Sequence, residues 1–185
     1  MKILLGVTGS VAGVLTKKLV DALQDSGHEV RVVLTRAAEY FVPRKCLYVP
    51  VYDETDEWSK ERYEKGDEVL HITLRDWADM LLIAPLTANT LAKLSQGRSD
   101  NLLTCIFLAW DKSKPVILAP AMNTKMWEHP VTRRNLKFLV SDLGGSGYTI
   151  CVLDPIAKKL ACGEEGVGAM VDISTIVTNT NRFFS

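Results

Sequence analysis

Charge of one sign is missing from this sequence: 22 Lys and Arg stand against 22 Asp and Glu in 185 residues. A dedicated nucleic-acid binder normally carries a basic surplus, so that class is disfavoured, and nothing repels a second copy at neutral pH. Long apolar runs are missing too; none reaches the roughly 18 residues that a membrane helix needs. The N-terminal MKILLGVTGS has one Lys and a short apolar stretch leading straight into periodic structure. It reads as a first strand and not as a signal peptide. The four cysteines, Cys46, Cys105, Cys151 and Cys162, are scattered without metal-ligand spacing. No metal site is expected, and reduced thiols in a cytoplasmic protein are the default. Neither G-x-G-x-x-G nor G-x-x-x-x-G-K-[ST] occurs, so an NAD site of the usual kind is disfavoured and a P-loop is excluded.

Short apolar runs alternating with helical patterns are what the chain has. Residues 2–7, 29–35, 80–85, 115–121 and 148–153 read as strands, the third and fourth being continuous apolar runs suited to burial on both faces. Helical spacing follows residue 11, with Gly27 as its stop, and recurs at about 88–96, 101–110, 123–143 and 172–183. Strand followed by helix, repeated, predicts one domain over 1–185. Its expected class is α/β: a three-layer, Rossmann-like or flavodoxin-like open parallel sheet with helices on both faces. Segments 42–70 and 154–170 show no period and read as long loops of the kind that carry function. Cys105 and Cys151 lie in apolar runs and read as core residues.

Open parallel sheets bind ligands beyond the carboxyl ends of their strands. The first such turn is Gly6-Val7-Thr8-Gly9-Ser10-Val11. Gly9 is expected to let backbone approach a ligand closely, and Ser10 to cap the following helix, whose free N–H groups favour an anion. The second strand ends in Thr35-Arg36, with no acid to grip a ribose diol. A mononucleotide with a terminal phosphate, such as FMN, suits these features; a plain capped turn would use the same residues.

Further segments then accumulate: Val69-Leu70-His71-Ile72, Thr87-Ala88-Asn89-Thr90, Asp100-Asn101-Leu102-Leu103-Thr104, the stretch P-x-M-N-x-x-M-W at 120–127, and Leu160-Ala161-Cys162-Gly163. In this order and spacing the chain resembles the flavin-containing cysteine decarboxylases over nearly its whole length. The resemblance implies FMN as cofactor and assembly as a homotrimer or a higher multiple, with the site at a subunit contact. Gly9, Ser10, Val11, Thr35, Arg36, Thr87, Ala88, Asn89, Thr90, Ala121 and Met122 match cofactor-binding positions. His71 matches the catalytic histidine, Asn123 the residue that holds the substrate carboxylate, and Lys159, Leu160 and Ala161, beside Cys162, a flap over the substrate.

The implied reaction is decarboxylation of 4′-phosphopantothenoylcysteine to 4′-phosphopantetheine in coenzyme A biosynthesis. The flavin transiently oxidises the cysteine to a thioaldehyde, CO2 leaves, and the enethiolate is reduced. His71 is the expected acid/base group, and Cys162 the proton donor of the reductive half. Relatives acting on a peptide's C-terminal cysteine stop at an enethiol and form the alternative. Two other kinds of relative, phosphatase inhibitors with long acidic tails and flavin prenyltransferases, fit less well. Many bacterial members carry a fused ligase domain; this chain is expected to receive its substrate from a separate enzyme.

Each residue also has a plainer reading. His71 reads as a polar residue at a strand edge, Asn123 as a helix N-cap, and Met122, Met126 and Trp127 as packing. Lys158 and Lys159 could attract a phosphate or simply be solvated. His28 and His129 read as surface residues. Glu164 stands where the family usually has Asp.

Overall fold

The computed structural model describes residues 1–58, 61–62, 64–159 and 165–184. Six strands form one all-parallel sheet: β1 (Lys2–Val7), β2 (Glu29–Leu34), β3 (Val51–Tyr52), β4 (Met80–Leu86), β5 (Val116–Pro120) and β6 (Ile150–Val152). Their order is β3-β2-β1-β4-β5-β6, so the winding direction reverses between β1 and β4. The expected open α/β sheet is therefore present.

Alternation along the strands divides the core in two. Ile3, Leu5 and Val7 of β1 join one apolar cluster, which includes Leu19 and Leu23 of α1 (Thr16–Asp25) and Ile176 of α8 (Ile173–Asn181). Leu4 joins the other, with Leu74 of α3 (Leu70–Trp77), Leu91 and Leu94 of α4 (Ala88–Ser95), and Leu103 and Ile106 of α5 (Leu102–Leu108). Period-two strands between two helical layers leave both sheet faces dry, and each fully buried Leu or Ile contributes about 1.5–3 kcal/mol. Gly27 ends the first helical segment at φ +84°, a conformation that suits glycine.

Several sequence-based boundaries need correction. Segment 42–70 is not a bare loop. Arg44–Cys46 makes a short 3-10 turn, Val51–Tyr52 adds the sixth strand, and α2 (Glu54–Glu57) follows. A two-residue strand and a one-turn helix are too short to show a period. His71 lies in the first turn of α3, not at a strand edge. Segment 154–170 contains an antiparallel hairpin, β7 (Ile156–Lys159) and β8 (Glu165–Ala169). The helix expected over 123–143 is broken into α6 (Thr124–Glu128) and α7 (Pro130–Phe138), followed by one π turn at Leu139–Leu143. Pro130 forces the break, because the residue before a proline is pushed out of the helical region, and His129 has ψ 132°. The first helical segment opens as a 3-10 turn, Val11–Leu15, before α1.

Candidate active site

A cavity of about 1300 Å³ opens at the carboxyl ends of β1, β2, β4 and β5, where the strand order reverses. Residues 9–11 after β1, 35–37 after β2, 87–90 after β4 and 121–122 after β5 all line it. Every residue expected at the cofactor is thus gathered on one surface. The volume exceeds the roughly 300–1,000 Å³ of ordinary small-molecule pockets, leaving room for a mononucleotide and a small substrate together.

One wall is made of neutral groups. Thr8 is fully buried and ties the first turn to the end of β4. Its Oγ1 donates to the Pro85 carbonyl at 2.8 Å and accepts the Thr87 N–H at 2.9 Å, and its own N–H reaches the Pro85 carbonyl at 3.2 Å. Pro85 has no N–H to give, and the β4–β5 register shifts between Ile83 and Leu86. Ser10 Oγ accepts from Ala12 N–H at 3.3 Å, and Thr87 Oγ1 from Thr90 N–H at 3.4 Å, so both residues cap as their types predict. Gly9 lines the cavity and is also tightly packed. A Cβ there would stand 2.4 Å from Ala37 Cβ. The missing side chain lets the turn after β1 approach the turn after β2 closely.

The opposite wall is ionic. Asp53 is buried and caps α2, with Thr55 N–H and hydroxyl on Oδ1 at 2.7 and 2.6 Å, while Asp56 Oδ2 accepts the Asp53 N–H at 2.8 Å. Arg44 fastens the pair, with Nη1 on Asp53 at 2.6 Å and Nη2 on Asp56 at 2.8 Å. Burial disfavours the Asp53 charge, yet the Thr55 hydrogen bonds and Arg44 hold its carboxyl below the usual range. At the end of α2 stands Glu57, its side chain only 2% exposed. Its Oε1 lies 2.5 Å from His71 Nδ1, and its Oε2 accepts the His71 backbone N–H at 2.9 Å. Glu57 lines the cavity; His71, bonded to it, is not among the lining residues, and its side chain is 21% exposed. His71 Nε2 has no hydrogen-bond partner among the described residues.

Asn123 acts as the N-cap of α6, its Oδ1 accepting Lys125 N–H at 2.9 Å. It adjoins the cavity through Met122. The hairpin is locked to this same loop: Met122 N–H donates to the Gly168 carbonyl at 2.9 Å, and a Cβ on Gly168 would sit 2.2 Å from the Met122 carbonyl oxygen. The hairpin that carries the expected flap is therefore rooted beside Asn123. Leu160, Ala161, Cys162 and Glu164 lie outside the described residues, as does the side chain of Lys159. Lys158 pairs with Asp172 at 2.6 Å. Met122 and Met126 line the cavity, whereas Trp127 is buried, with the Arg133 guanidinium 4.3 Å from its ring centre. His28 pairs with Asn181 at 2.7 Å, and His129 caps α7.

Cys105 corrects another expectation. It is half-buried and lines the cavity, and Cys151 is likewise only half-buried. Burial pushes the Cys105 thiol up, with the Glu57 and Asp100 carboxylates adding to it. Thr8, Asp53, Glu57, Trp58 and Lys93 are further site residues that sequence reasoning passed over. Asp53 and Asp56, three apart and bracketing a helical turn, were the available capping signal; Glu57 and Thr8 carried none, since their partners lie 14 and 77 residues away.

The fold and this cavity define a doubly wound domain of the mononucleotide-binding type. A family model described as Flavoprotein matches residues 1–185, and the chain belongs to that family. It is 45% identical over 185 residues to the phosphopantothenoylcysteine decarboxylase of Mus musculus, covering 100% of this chain and 87% of that protein. It is 46% identical over 185 residues to the phosphopantothenoylcysteine decarboxylase HAL3 of Malus domestica, covering 99% and 83%. Among solved structures, a cysteine-to-serine variant of PPC decarboxylase complexed with pantothenoylaminoethenethiol superposes with a TM-score of 0.91 at 45% identity, covering 99% of this chain and 97% of that one. The FMN binding protein AtHal3 superposes at 0.86 with 45% identity, covering 99% and 96%.

Proposed function

We propose that the protein is an FMN-dependent enzyme that decarboxylates 4′-phosphopantothenoylcysteine to 4′-phosphopantetheine in coenzyme A biosynthesis. The carrying observation is that all the residues expected at the cofactor line one cavity at the sheet's switch point, with the His71–Glu57 pair in its ionic wall. The names of the relatives support the same reaction.

The residues present fit FMN. Ser10, Thr35, Thr87 and Thr90 offer hydroxyls, and the turn starting at Val11 offers backbone N–H groups for a terminal phosphate. Val11, Ala121, Met122 and Met126 offer apolar surface for a flat ring. When bound, FMN supplies a reversible two-electron acceptor, so that a cysteine side chain can be oxidised while its carboxylate leaves and reduced afterwards. His71 moves the proton at the substrate thiol through Nε2, the ring nitrogen that Glu57 does not hold. Asn123 holds the substrate carboxylate while its Oδ1 caps α6. Lys159, Leu160 and Ala161 cover the substrate, and Cys162 protonates the enethiolate.

His71 and Asn123 stand beside the cavity lining and not on it, which supports a site completed by a second copy in a homotrimer. Free thiols at Cys46, Cys105 and Cys151 support a cytoplasmic, reducing compartment. The residues assigned to the site all fall in the one domain read over 1–185.

The test is to purify the protein, record its visible spectrum, identify the flavin by mass, and add 4′-phosphopantothenoylcysteine. A yellow protein carrying FMN and forming CO2 and 4′-phosphopantetheine in equal amounts is expected. A colourless protein that takes up no FMN, or one that releases no CO2, overturns the proposal. An enethiol as final product moves the assignment to oxidative decarboxylation of a peptidyl cysteine.

A further inference from the structure

We infer that Glu57 is a positioning residue for His71, fixing both the orientation of its ring and the tautomer in which Nε2 is the proton acceptor. This rests on the reading of His71 as the acid/base group. The geometry is two-pronged. One Glu57 oxygen takes the His71 backbone N–H at 2.9 Å, and the other stands 2.5 Å from the ring Nδ1. Backbone and ring of one residue are thus held by a single carboxylate whose side chain is 2% exposed. A carboxylate oxygen can only accept, so the neutral imidazole must carry its proton on Nδ1, and Nε2 is left as the base.

Among the described residues no other hydrogen bond orients the ring. The place of His71 in the first turn of α3 leaves its backbone N–H without an intrahelical acceptor. Glu57 satisfies that N–H and so places the start of α3 against the end of α2. Both oxygens being committed, Glu57 does not serve as the proton-transfer group itself although it lines the cavity. Its own position is set from the other end of α2, where Asp53 caps the helix and Arg44 grips Asp53 and Asp56.

Glu57→Gln separates this role from a merely structural one. A glutamine has one oxygen. If it accepts the backbone N–H, its NH2 faces Nδ1 and selects the opposite tautomer, with the proton on Nε2. Nitrogen-15 NMR of histidine-labelled protein reads the tautomer directly; there are 3 histidines, and His71→Asn assigns the signal. The expected result is an Nδ1–H tautomer in the native protein and an Nε2–H tautomer in Glu57→Gln. With that switch, kcat should fall about 10²-fold or more, while KM and FMN affinity stay within about twofold. Glu57→Asp keeps two acceptors and should recover about tenfold of the loss. A native Nε2–H tautomer, unchanged kcat in Glu57→Gln, or a parallel loss of FMN affinity overturns the inference. If the native protein releases no CO2 from 4′-phosphopantothenoylcysteine, the functional reading fails, and the tautomer measurement still decides the role of Glu57.

Discussion

The two walls of the cavity are built on opposite physical plans. The wall formed by the turns after β1 and β4 is uncharged where it meets the lining at Ser10, Thr87 and Thr90, and is held by hydrogen bonds that pass through the buried Thr8. The wall formed by residues 53–57 is ionic and is held by Arg44, Asp53, Asp56 and the Glu57–His71 pair. Preset neutral donors bind a flat, phosphorylated cofactor at little desolvation cost. A buried carboxylate with a histidine holds a proton acceptor in one state. On the proposed function, binding and proton transfer fall to different walls, and substitutions in one should leave the other's task intact.

The largest expected effect comes from the ionic wall. His71→Asn should lower kcat by about 10²–10⁴-fold, the usual contribution of a positioned acid/base group, with the flavin spectrum and FMN affinity unchanged. Near-native turnover in this variant would remove His71 from the chemistry and dissolve the contrast between the walls.

Thr8→Val tests the neutral wall. It leaves the Thr87 N–H without its side-chain acceptor and should cost about 1–3 kcal/mol of stability in urea unfolding. FMN affinity should weaken, with kcat at saturating cofactor close to native. Loss of kcat with normal FMN affinity would show that the walls do not divide the work this way.

The smallest effect is expected where Lys93, on the lining, pairs with Asp100 at 2.7 Å. The Lys93 hydrogen bond holds the Asp100 carboxyl below its usual range, burial opposes it, and the charges of Lys93 and Arg98 add to the lowering. The stability from this pair is present above the ordinary carboxylate range and is lost as pH falls through the lowered value. Lys93→Met should therefore cost about 0–1 kcal/mol near neutral pH and nothing at strongly acid pH, the pair being partly exposed. Thermal melts at several pH values measure it; a pH-independent loss would mean that Lys93 acts by packing.

Legibility followed the same division. Ser10, Thr87 and Asn123 could be read as helix starts because capping is a local property of residue type and position. The other five strands of the central sheet could be read as short apolar runs, most plainly β4 and β5, which are buried on both faces. Val51–Tyr52 and Glu54–Glu57 are too short for any period to show, and helical spacing on both sides of Pro130 hides the break there. Glu57 sat among Asp53, Glu54 and Asp56 as one acid in a charged run, with nothing local to single it out. Cys105 has apolar sequence neighbours that suggest core, but one side of α5 faces the cavity.

By itself the sequence determined the alternating elements, the sheet class, the capped turns at the strand ends and the family to which the chain belongs. These rest on local periodicity and on residue types that mean the same thing wherever they occur. Only the tertiary structure decided which groups meet. Glu57 finds His71 across 14 residues, and Thr8 finds Pro85 across 77. Gly9 packs on Ala37, and Gly168 brings the hairpin onto Met122. Such contacts depend on how the layers stack in space, and no single stretch of chain encodes that stacking.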